Sequence, residues 1–297
     1  MTAIADRILN IPFVRRSDAL RTFVVAAWLG WQIESNWADP FLFAIYSLAR
    51  PIASVLILVV MYAVITDGAM EQPIFSYIYL GNALYILVSS VITGVSWAVI
   101  DDREHYRTMK QLYTAPLDGY AYLMGRGVAR MLIGTISVLI TIGFGLIAFH
   151  LPIRLATIDW GLLLLSTALG VASLAAMGLM LGSLTMMLAR HFWAVGEMVA
   201  GSLYLFSGAI FPLEVLPPWL RPLGFVFPVT YWLEAARRAL LGPQALGFPT
   251  LAHFSDWQLV GILSGMTAVL IVVSGFFYRW ALHQAKEKGL IDMETAY

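Results

Sequence analysis

Cysteine is absent from the 297 residues of this chain, and lysine occurs only at Lys110, Lys286 and Lys288. Without cysteine the chain cannot form a disulfide, a thiolate zinc site or a cysteine nucleophile. No lysine follows a glycine, so the phosphate-binding loop G-x-x-x-x-G-K-[ST] is absent as well. The formal net charge is zero, which gives no bulk attraction to nucleic acid, and we expect no nucleic-acid partner.

Charge of either sign is also scarce. Charged residues make up only 12% of the chain and hydrophobic residues make up 60%, whereas a soluble domain carries about 25% charged residues. The composition therefore predicts an all-α integral membrane protein. A membrane span needs about 20 predominantly apolar residues, and six segments meet that requirement: 43–66, 76–100, 128–149, 160–188, 192–211 and 258–282.

A shorter apolar stretch, 23–33, precedes the first of these spans. It carries Trp28 and Trp31, and tryptophan rings favour the membrane interface. We predict an N-terminal amphipathic helix in the interface, capped by Ser17 or Asp18. The alternative is a frayed leader into the first span. On either interpretation, residues 1–42 precede a six-helix transmembrane domain over 43–297.

The distribution of lysine and arginine predicts the orientation of the spans. With six spans and the N-terminus inside, 14 of the 18 Lys and Arg residues lie on the cytoplasmic side. An excess of positive charge marks cytoplasmic segments. We therefore expect a multi-pass protein of the cytoplasmic (inner) membrane with both termini in the cytoplasm.

The segment 212–256 lies before the last span, on the predicted outer side, and holds seven of the 13 prolines. Irregular backbone at membrane depth survives only where protein or water covers it. We predict a re-entrant pair of short helices that dips partway into the outer leaflet; the alternative is an ordinary extracellular cap. In the second of these helices, Glu234 has the spacing to pair with either Arg237 or Arg238.

The polar segment 101–115 separates the second and third predicted spans. On one continuous helix, Tyr106, Met109 and Tyr113 would form an apolar stripe, while basic residues would form a stripe on a different face. Such a helix could insert into a groove of a partner protein, or it could lie on lipid headgroups. The basic stripe and the acidic first turn consist of Arg103, Arg107 and Lys110, and of Asp101, Asp102 and Glu104.

Glu197 is the acidic residue placed well inside a predicted span. Intramembrane acids usually face a bundle interior or an aqueous cavity. Glu197 could pair with Arg190 or His191 one to two turns earlier, or it could contact a cationic substrate. Tyr204 and Phe211 are further candidates for a pathway through the membrane, although anchoring at the interface explains such aromatic residues equally well.

Two further function classes remain open on the residues alone. An ion-coupled secondary transporter would need buried ion-coupling residues, for which Glu197 is the candidate. A magnesium-dependent intramembrane prenyltransferase would use an aspartate-rich loop such as Asp101–Asp102. That class needs more spans and a second acidic loop, and Asp292 and Glu294 stand isolated near the C-terminus.

Two motifs resemble the ABC type-2 exporter permease family. The run DDREHYRTMKQLYTAPLDGY is similar to the family's coupling-helix signature, although His105–Tyr106–Arg107 replaces the commoner Arg–Gly pair. The later run resembles the family's Ser–Gly–x–x–Phe–Pro, Leu–Pro and Pro–x–Thr–Tyr pattern. The matching residues are Asp102, Arg103, Glu104, Thr108, Met109, Gln111, Leu112 and Pro116 in the first motif, and Ser207, Gly208, Phe211, Pro212, Leu216, Pro217, Pro228, Thr230 and Tyr231 in the second.

The resemblance implies a permease subunit of an ATP-driven exporter. ATP and magnesium would be bound by a separate ABC ATP-binding subunit, present in two copies, and this chain would hold no cofactor or metal of its own. A second permease copy would complete the pathway, and a hydrophobic or amphipathic substrate such as a drug, an antibiotic or a lipid would move outward. The segment 101–115 would couple to the ATPase. The outer gate would contain Pro212, Pro217, Pro228, Tyr231, Glu234, Arg237 and Arg238.

Overall fold

A computed structural model describes residues 17–35, 39–68, 73–188, 192–242, 245 and 251–290 of the chain, and regular secondary structure in these residues is entirely helical. A π-helical turn, Asp101–His105, continues the third helix, and a 3₁₀ turn, Leu213–Val215, precedes the eighth. The α-helices are α1 (Asp18–Ser35), α2 (Pro40–Ile65), α3 (Pro73–Ile100), α4 (Met109–Thr114), α5 (Gly119–Ala148), α6 (Trp160–Met187), α7 (Phe192–Phe206), α8 (Arg221–Val226), α9 (Pro228–Leu241) and α10 (Asp256–Glu287).

Five of these helices are long and apolar enough to cross a membrane. They are α2, α3, α5, α6 and α10, which correspond to five of the six predicted spans. The remaining predicted span, 192–211, is represented by α7, whose 15 residues extend about 22 Å at the α-helical rise. The hydrocarbon core of a bilayer is about 30 Å thick, so the six-span count is not confirmed.

The N-terminal helix α1 packs along the first half of α5. Its buried residues are the small Thr22, Ala26 and Gly30, spaced one turn apart. A Cβ on Gly125 of α5 would lie 2.4 Å from the carbonyl oxygen of Phe23, so the two backbones are almost in contact. Small residues permit such close helix packing in membranes. Ser17 caps α1 as expected, because its Oγ accepts from the backbone N–H of Leu20 at 3.4 Å.

Helix α3 is the centre of the bundle. It packs against α2, α5, α6, α7 and α9. In its most apolar stretch of 18 residues, 72% of the residues are buried. Against its C-terminal third lie Gly178 and Gly182 of α6, where an added Cβ would approach the side chain of Val95 to 3.1 and 3.0 Å. The near-continuous apolar run of α3 follows from this position, because the helix has neighbours on almost every side.

The proline-rich segment forms two short helices, α8 and α9, which meet at Phe227. Every residue of α9 is buried, including Glu234, Arg237 and Arg238. The helix packs on α3, α6 and α10. Short helices were predicted in this segment, and α9 holds its charged residues inside the protein. How deeply the pair enters a leaflet stays a prediction.

Candidate functional site

The segment 101–115 is not one helix, and in this respect the sequence prediction was wrong. The π-helical turn extends α3 as far as His105. It ends with a hydrogen bond from the backbone N–H of Tyr106 to the carbonyl of Asp101 at 2.8 Å. The chain then turns at Arg107, whose φ is 53°, before α4 begins at Met109. A left-handed residue cannot continue a right-handed helix. The predicted apolar and basic stripes are therefore broken between Tyr106 and Met109.

Asp102 lies inside the protein and not on a docking surface. Its carboxylate accepts a hydrogen bond from the hydroxyl of Tyr122 at 2.8 Å and lies 3.4 Å from the Arg126 guanidinium. Asp102 and Arg126 are both buried, and Tyr122 and Arg126 belong to α5. Breaking a buried pair of this kind is costly, because one charge would be left without a partner. Asp102 thus fastens the end of α3 to α5.

Arg103 is also buried, and it fastens the same turn to α6. Its Nη1 donates to the carbonyl of Leu188 at 3.1 Å and to that of Thr185 at 3.3 Å, at the C-terminal end of α6. Cations are favourable at a helix C-terminus because the last carbonyls lack partners within the helix. Glu104 accepts from Arg103 Nε at 2.9 Å. Movement of the π-helical turn would therefore act on α5 and α6 together.

Among the candidate coupling residues that the structure describes, Tyr106, Arg107 and Lys110 are exposed. Met109 is 6% exposed and packs with Tyr122 in an apolar cluster under α4, so it anchors the helix from within. The side chain of Tyr113 lies outside the described part of the structure. The candidate coupling residues thus divide into an exposed set that can meet a partner and a buried set that connects to the spans.

The two neighbouring aspartates of this segment do not converge on a common site. Asp101 Oδ1 lies 2.8 Å from Nδ1 of His105 at the surface, whereas Asp102 is turned inward to α5. A magnesium–diphosphate site of the prenyltransferase kind would need carboxylates directed at one metal. In the described residues this loop does not provide them.

Beside the segment lies a cavity of about 770 Å³. Asp101 and Tyr106 form part of its wall at the end nearest the segment, and Asn82, Tyr85 and Tyr204 lie further along the same helices. Its lining residues recur at i, i+3, i+4 and i+7, which shows that one face of each helix is turned toward the cavity. Small polar residues are frequent on these faces: Ser47 and Ser54 of α2, Ser89, Ser90 and Thr93 of α3, and Ser137 of α5.

The cavity brings together two of the three predicted pathway residues. Glu197 and Tyr204 line it from α7, whereas Phe211 is not among its lining residues. Glu197 is exposed and makes no hydrogen bond or ion pair in the described structure. Its predicted partners Arg190 and His191 lie outside the described residues.

Sequence reasoning missed several residues of the cavity, among them Asn82 and Tyr85 of α3. The hydroxyl of Tyr204 donates to Oδ1 of Asn82, and the hydroxyl of Tyr85 donates to the carbonyl of Ala200. These bonds hold α7 against α3. The polar residues of α3 at helical spacing, from Asn82 to Thr93, are the signal that could have identified this face.

An ion pair between Glu34 and Arg130 closes one side of the cavity. Arg130 Nε lies 2.5 Å from Glu34 Oε1, which connects the end of α1 to α5. Burial raises the pKa of Glu34 above its usual value, and the nearby Arg130 opposes this shift. The pair therefore offsets part of the cost of burying this carboxylate beside the cavity.

At the opposite end of the bundle, Glu234 pairs with Arg238, one of the two partners that its spacing allows. Arg238 Nε lies 3.1 Å from Glu234, and Arg238 Nη1 lies 3.0 Å from Asp256 at the start of α10. Arg238 also donates to the carbonyls of Leu251 and Phe254 at 2.6 and 2.7 Å. One guanidinium thus joins α9 to the loop before α10 and to α10 itself.

Arg237 joins α9 to α3 and to the turn after α7. Its Nη2 donates to the carbonyls of Gly208 and Ala209 at 2.8 and 3.1 Å. Its guanidinium carbon lies 3.8 Å from the centre of the Tyr77 ring, within cation–π range. Gly81 makes room for it, because a Cβ at that position would lie 1.8 Å from Nη2.

The remaining predicted gate residues shape the backbone of this end. Pro212 precedes the 3₁₀ turn, the carbonyl of Pro217 accepts from Leu220, and Pro228 begins α9. Tyr231 donates to the carbonyl of Phe225 at 3.1 Å, which ties α9 to α8. We call the cluster formed by Glu234, Arg237, Arg238 and their partners the α9 charge cluster.

Residues 23–241 match the ABC-2 type transporter family. The chain is also similar to YbhR, described as a probable multidrug ABC transporter permease, of Escherichia coli strain K12 and of Escherichia coli O157:H7. Each match is 24% identical over 177 residues, covering 60% of this chain and 46% of the relative, so the chain spans about half the length of these curated relatives. Because the family match extends over most of its length and through its apolar helices, the chain belongs to the ABC-2 type transporter family, and its five membrane-length helices make it a multi-pass membrane protein.

Proposed function

We propose that this chain is the permease of an ATP-driven exporter that moves a hydrophobic or amphipathic compound outward across the cytoplasmic membrane. One observation carries the proposal: the cavity shares Asp101 and Tyr106 with the segment expected to meet the ATP-binding subunit. A force applied to that segment would change the cavity directly. The outward direction rests on the family resemblance and on the predicted orientation of the spans.

The coupling step would begin at the exposed surface of Tyr106, Arg107 and Lys110. Because Asp102 is bonded to α5 and Arg103 to α6, displacement of the π-helical turn would move the ends of both helices. A π-helical turn is often found at functional sites. It is less regular than an α-helix, so its rearrangement would cost less than bending α3 itself.

The α9 charge cluster would act as the outer gate. It holds α9 to α3, to the turn after α7 and to α10 through buried arginines. Asp256 is the half-exposed member of the cluster, with 51% of its side chain accessible. Opening would exchange some of these buried bonds for water, and the Arg238–Asp256 pair, with its half-exposed carboxylate, would cost the least to break.

A second copy of the chain and two ATP-binding subunits would complete the transporter. Helix α2 lends support, because it forms one wall of the cavity and leaves large apolar side chains exposed, including Ile57 and Val64 at 73% and 74%. Such a face must be covered by lipid or by protein. Placed against a second copy, it would close the cavity on its open side.

Nucleotide hydrolysis in lipid nanodiscs would test the proposal. The chain would be co-expressed with its cognate ATP-binding subunit, and Tyr106→Ala would be compared with the wild type. A matched control is Trp219→Ala, because Trp219 is also an exposed aromatic residue but lies in the segment before α8, with 76% of its surface accessible.

We expect an ATP-binding subunit to co-purify and to hydrolyse ATP in a vanadate-sensitive manner. Tyr106→Ala should reduce hydrolysis or separate it from transport, and Trp219→Ala should leave the coupling unchanged. Absence of any associated ATPase, or equal effects of the two variants, would contradict the coupling assignment.

An ion-coupled secondary transporter is the alternative, because Glu197 faces the cavity and its carboxylate has no partner among the residues that the structure describes. Ionisable residues inside membranes often lie on ion pathways. Uptake into proteoliposomes driven by a proton or sodium gradient, without nucleotide or partner subunit, would favour this alternative and overturn the first proposal.

A further inference from the structure

The charges around the cavity can be separated into those that have partners and those that do not. Glu34 forms an ion pair with Arg130, and Asp101 shares a hydrogen bond with His105. The two remaining charged residues of the wall are Arg50 of α2 and Glu197 of α7. Neither makes an ion pair or hydrogen bond in the described structure, and both are exposed to the cavity. In the part of the chain that the structure describes, the wall therefore presents one cation and one anion that have no hydrogen-bonding or ion-pair partner.

Both residues lie in the N-terminal half of their helices. Arg50 is ten residues beyond Pro40, the first residue of α2, and Glu197 is five residues beyond Phe192, the first residue of α7. A charge on an apolar helix of a membrane protein is costly unless it faces water or a partner. Because Arg50 and Glu197 face one cavity and do not pair with each other, a ligand can lie between the two charges.

We infer that the cavity binds an amphipathic zwitterion, with its ammonium group on Glu197 and its carboxylate or phosphate group on Arg50. Arginine suits a carboxylate or phosphate because its planar donors can form two parallel bonds. The apolar part of the ligand would contact Pro51, Ile86 and Ile133, which also line the cavity. This inference rests on the proposed function only in taking the bound compound to be the cargo.

A ligand with a single charge would fit the site less well. When the cavity closes, its contents lose water, and an unpaired charge that is buried pays the full cost of desolvation. A cation would neutralise Glu197 but leave Arg50 unmatched, and an anion would do the reverse. A zwitterion would neutralise both residues in one binding event.

The test compares three ligands that share an indole ring and differ in charge. Tritiated tryptophan is a zwitterion, tryptamine is a cation, and indole-3-propionate is an anion. The full chain, without an ATP-binding subunit, would be placed in phosphatidylglycerol nanodiscs so that no zwitterionic lipid occupies the site. Equilibrium binding would be measured by scintillation proximity against empty nanodiscs.

We expect tryptophan to bind about tenfold more tightly than either analogue, as one additional charge-assisted bond would provide. Glu197→Gln should make tryptophan and indole-3-propionate equal, because the ammonium would no longer contribute. Arg50→Gln should make tryptophan and tryptamine equal. Asp67→Asn is the control, since Asp67 is an exposed carboxylate in the turn after α2, outside the cavity, and it should change none of the affinities.

The same measurement distinguishes a soluble zwitterion from a lipid headgroup. Dihexanoylphosphatidylcholine should displace tryptophan if a phosphate can take the place of the carboxylate, and tighter binding of this lipid than of tryptophan would identify a headgroup as the preferred form. In either case, the inference requires that Glu197→Gln and Arg50→Gln each weaken binding of the preferred ligand.

Three outcomes would overturn the inference. In the first, the wild type shows no saturable tryptophan binding, and in the second, it binds the three indole compounds with equal affinity. In the third outcome, Glu197→Gln and Arg50→Gln each change the affinities for the three indole compounds by the same factor. The last result would show that neither Arg50 nor Glu197 recognises a charge on the ligand. Because binding is measured without nucleotide, failure here leaves the ATPase test intact, and failure of the ATPase test leaves the binding result intact.

Discussion

Substitution of Gly81 by alanine tests whether Arg237 holds the α9 charge cluster together. A Cβ at this position would lie 1.8 Å from Arg237 Nη2 and 2.2 Å from the carbonyl oxygen of Ala209. Neither contact is possible, because a Cβ atom does not approach a non-bonded heavy atom more closely than about 3 Å. The guanidinium must therefore leave its place, or the turn at Gly208–Ala209 must move away from α3.

The size of the effect follows from the bonds that would be lost. Arg237 is 1% exposed, and it donates to the carbonyls of Gly208 and Ala209. Hydrogen bonds from a charged group contribute about 1.5–3 kcal/mol each, and loss of the stacking on Tyr77 would add about 1 kcal/mol. Since a displaced guanidinium would recover part of this energy elsewhere, we expect Gly81→Ala to lower the free energy of unfolding by about 3–5 kcal/mol.

Reversible unfolding in mixed dodecyl sulfate and dodecylmaltoside micelles, followed by tryptophan fluorescence, would measure this change. Gly143→Ala is the matched control, because a Cβ there meets nothing within 4 Å and Gly143 lies inside helix α5. That control should stabilise the protein by about 0.5–1 kcal/mol, the usual effect of replacing glycine within a helix. Equal free energies of unfolding for Gly81→Ala and the wild type would refute the role assigned to Arg237.

Two further substitutions test the segment between α3 and α5 in the same unfolding assay. Asp102→Ala should destabilise the protein by about 3–5 kcal/mol because Arg126 would remain buried without its partner; the control His105→Ala, at an exposed pair with Asp101, should cost no more than about 0.5 kcal/mol. Equal losses for these two variants would contradict the buried attachment. Arg107→Gly should stabilise by about 0.5–1 kcal/mol, because relief of the left-handed backbone outweighs the extra chain entropy of glycine, and a measured loss of stability would contradict that geometry.

The helical class and the positions of the five membrane-length helices could be predicted from local composition. Segments such as 76–100 and 258–282 consist almost wholly of apolar residues. Inside a membrane the backbone of such a segment must satisfy its own hydrogen bonds, so its helical state depends little on which neighbours it meets. The helix containing Glu234 could also be predicted, because its N-terminal proline and its i, i+4 charge spacing are local features.

The arrangement of the segment 101–115 could not be obtained in this way. Its sequence is compatible with one amphipathic helix, and nothing near Asp102 indicates that Tyr122 and Arg126 lie beside it. A buried ion pair between residues 24 positions apart depends on how α3 and α5 cross. The inward direction of Asp102 and Arg103 is therefore a property of the packed bundle.

The same distinction holds for the cavity. The sequence identifies Glu197 as an acid within an apolar segment, but it does not show that Glu197 and Arg50 face the same space.

By itself, the sequence determined that the chain is helical and membrane-embedded, where its apolar helices lie and which family motifs it carries, because hydropathy and helix-terminating residues act over a few turns of the chain. Only the tertiary structure decided which charged side chains are buried together, which remain exposed for a partner, and which face the cavity. Those properties arise between helices that are distant in sequence, where the pairing of a charge depends on the neighbour that packing places within a few ångströms of it.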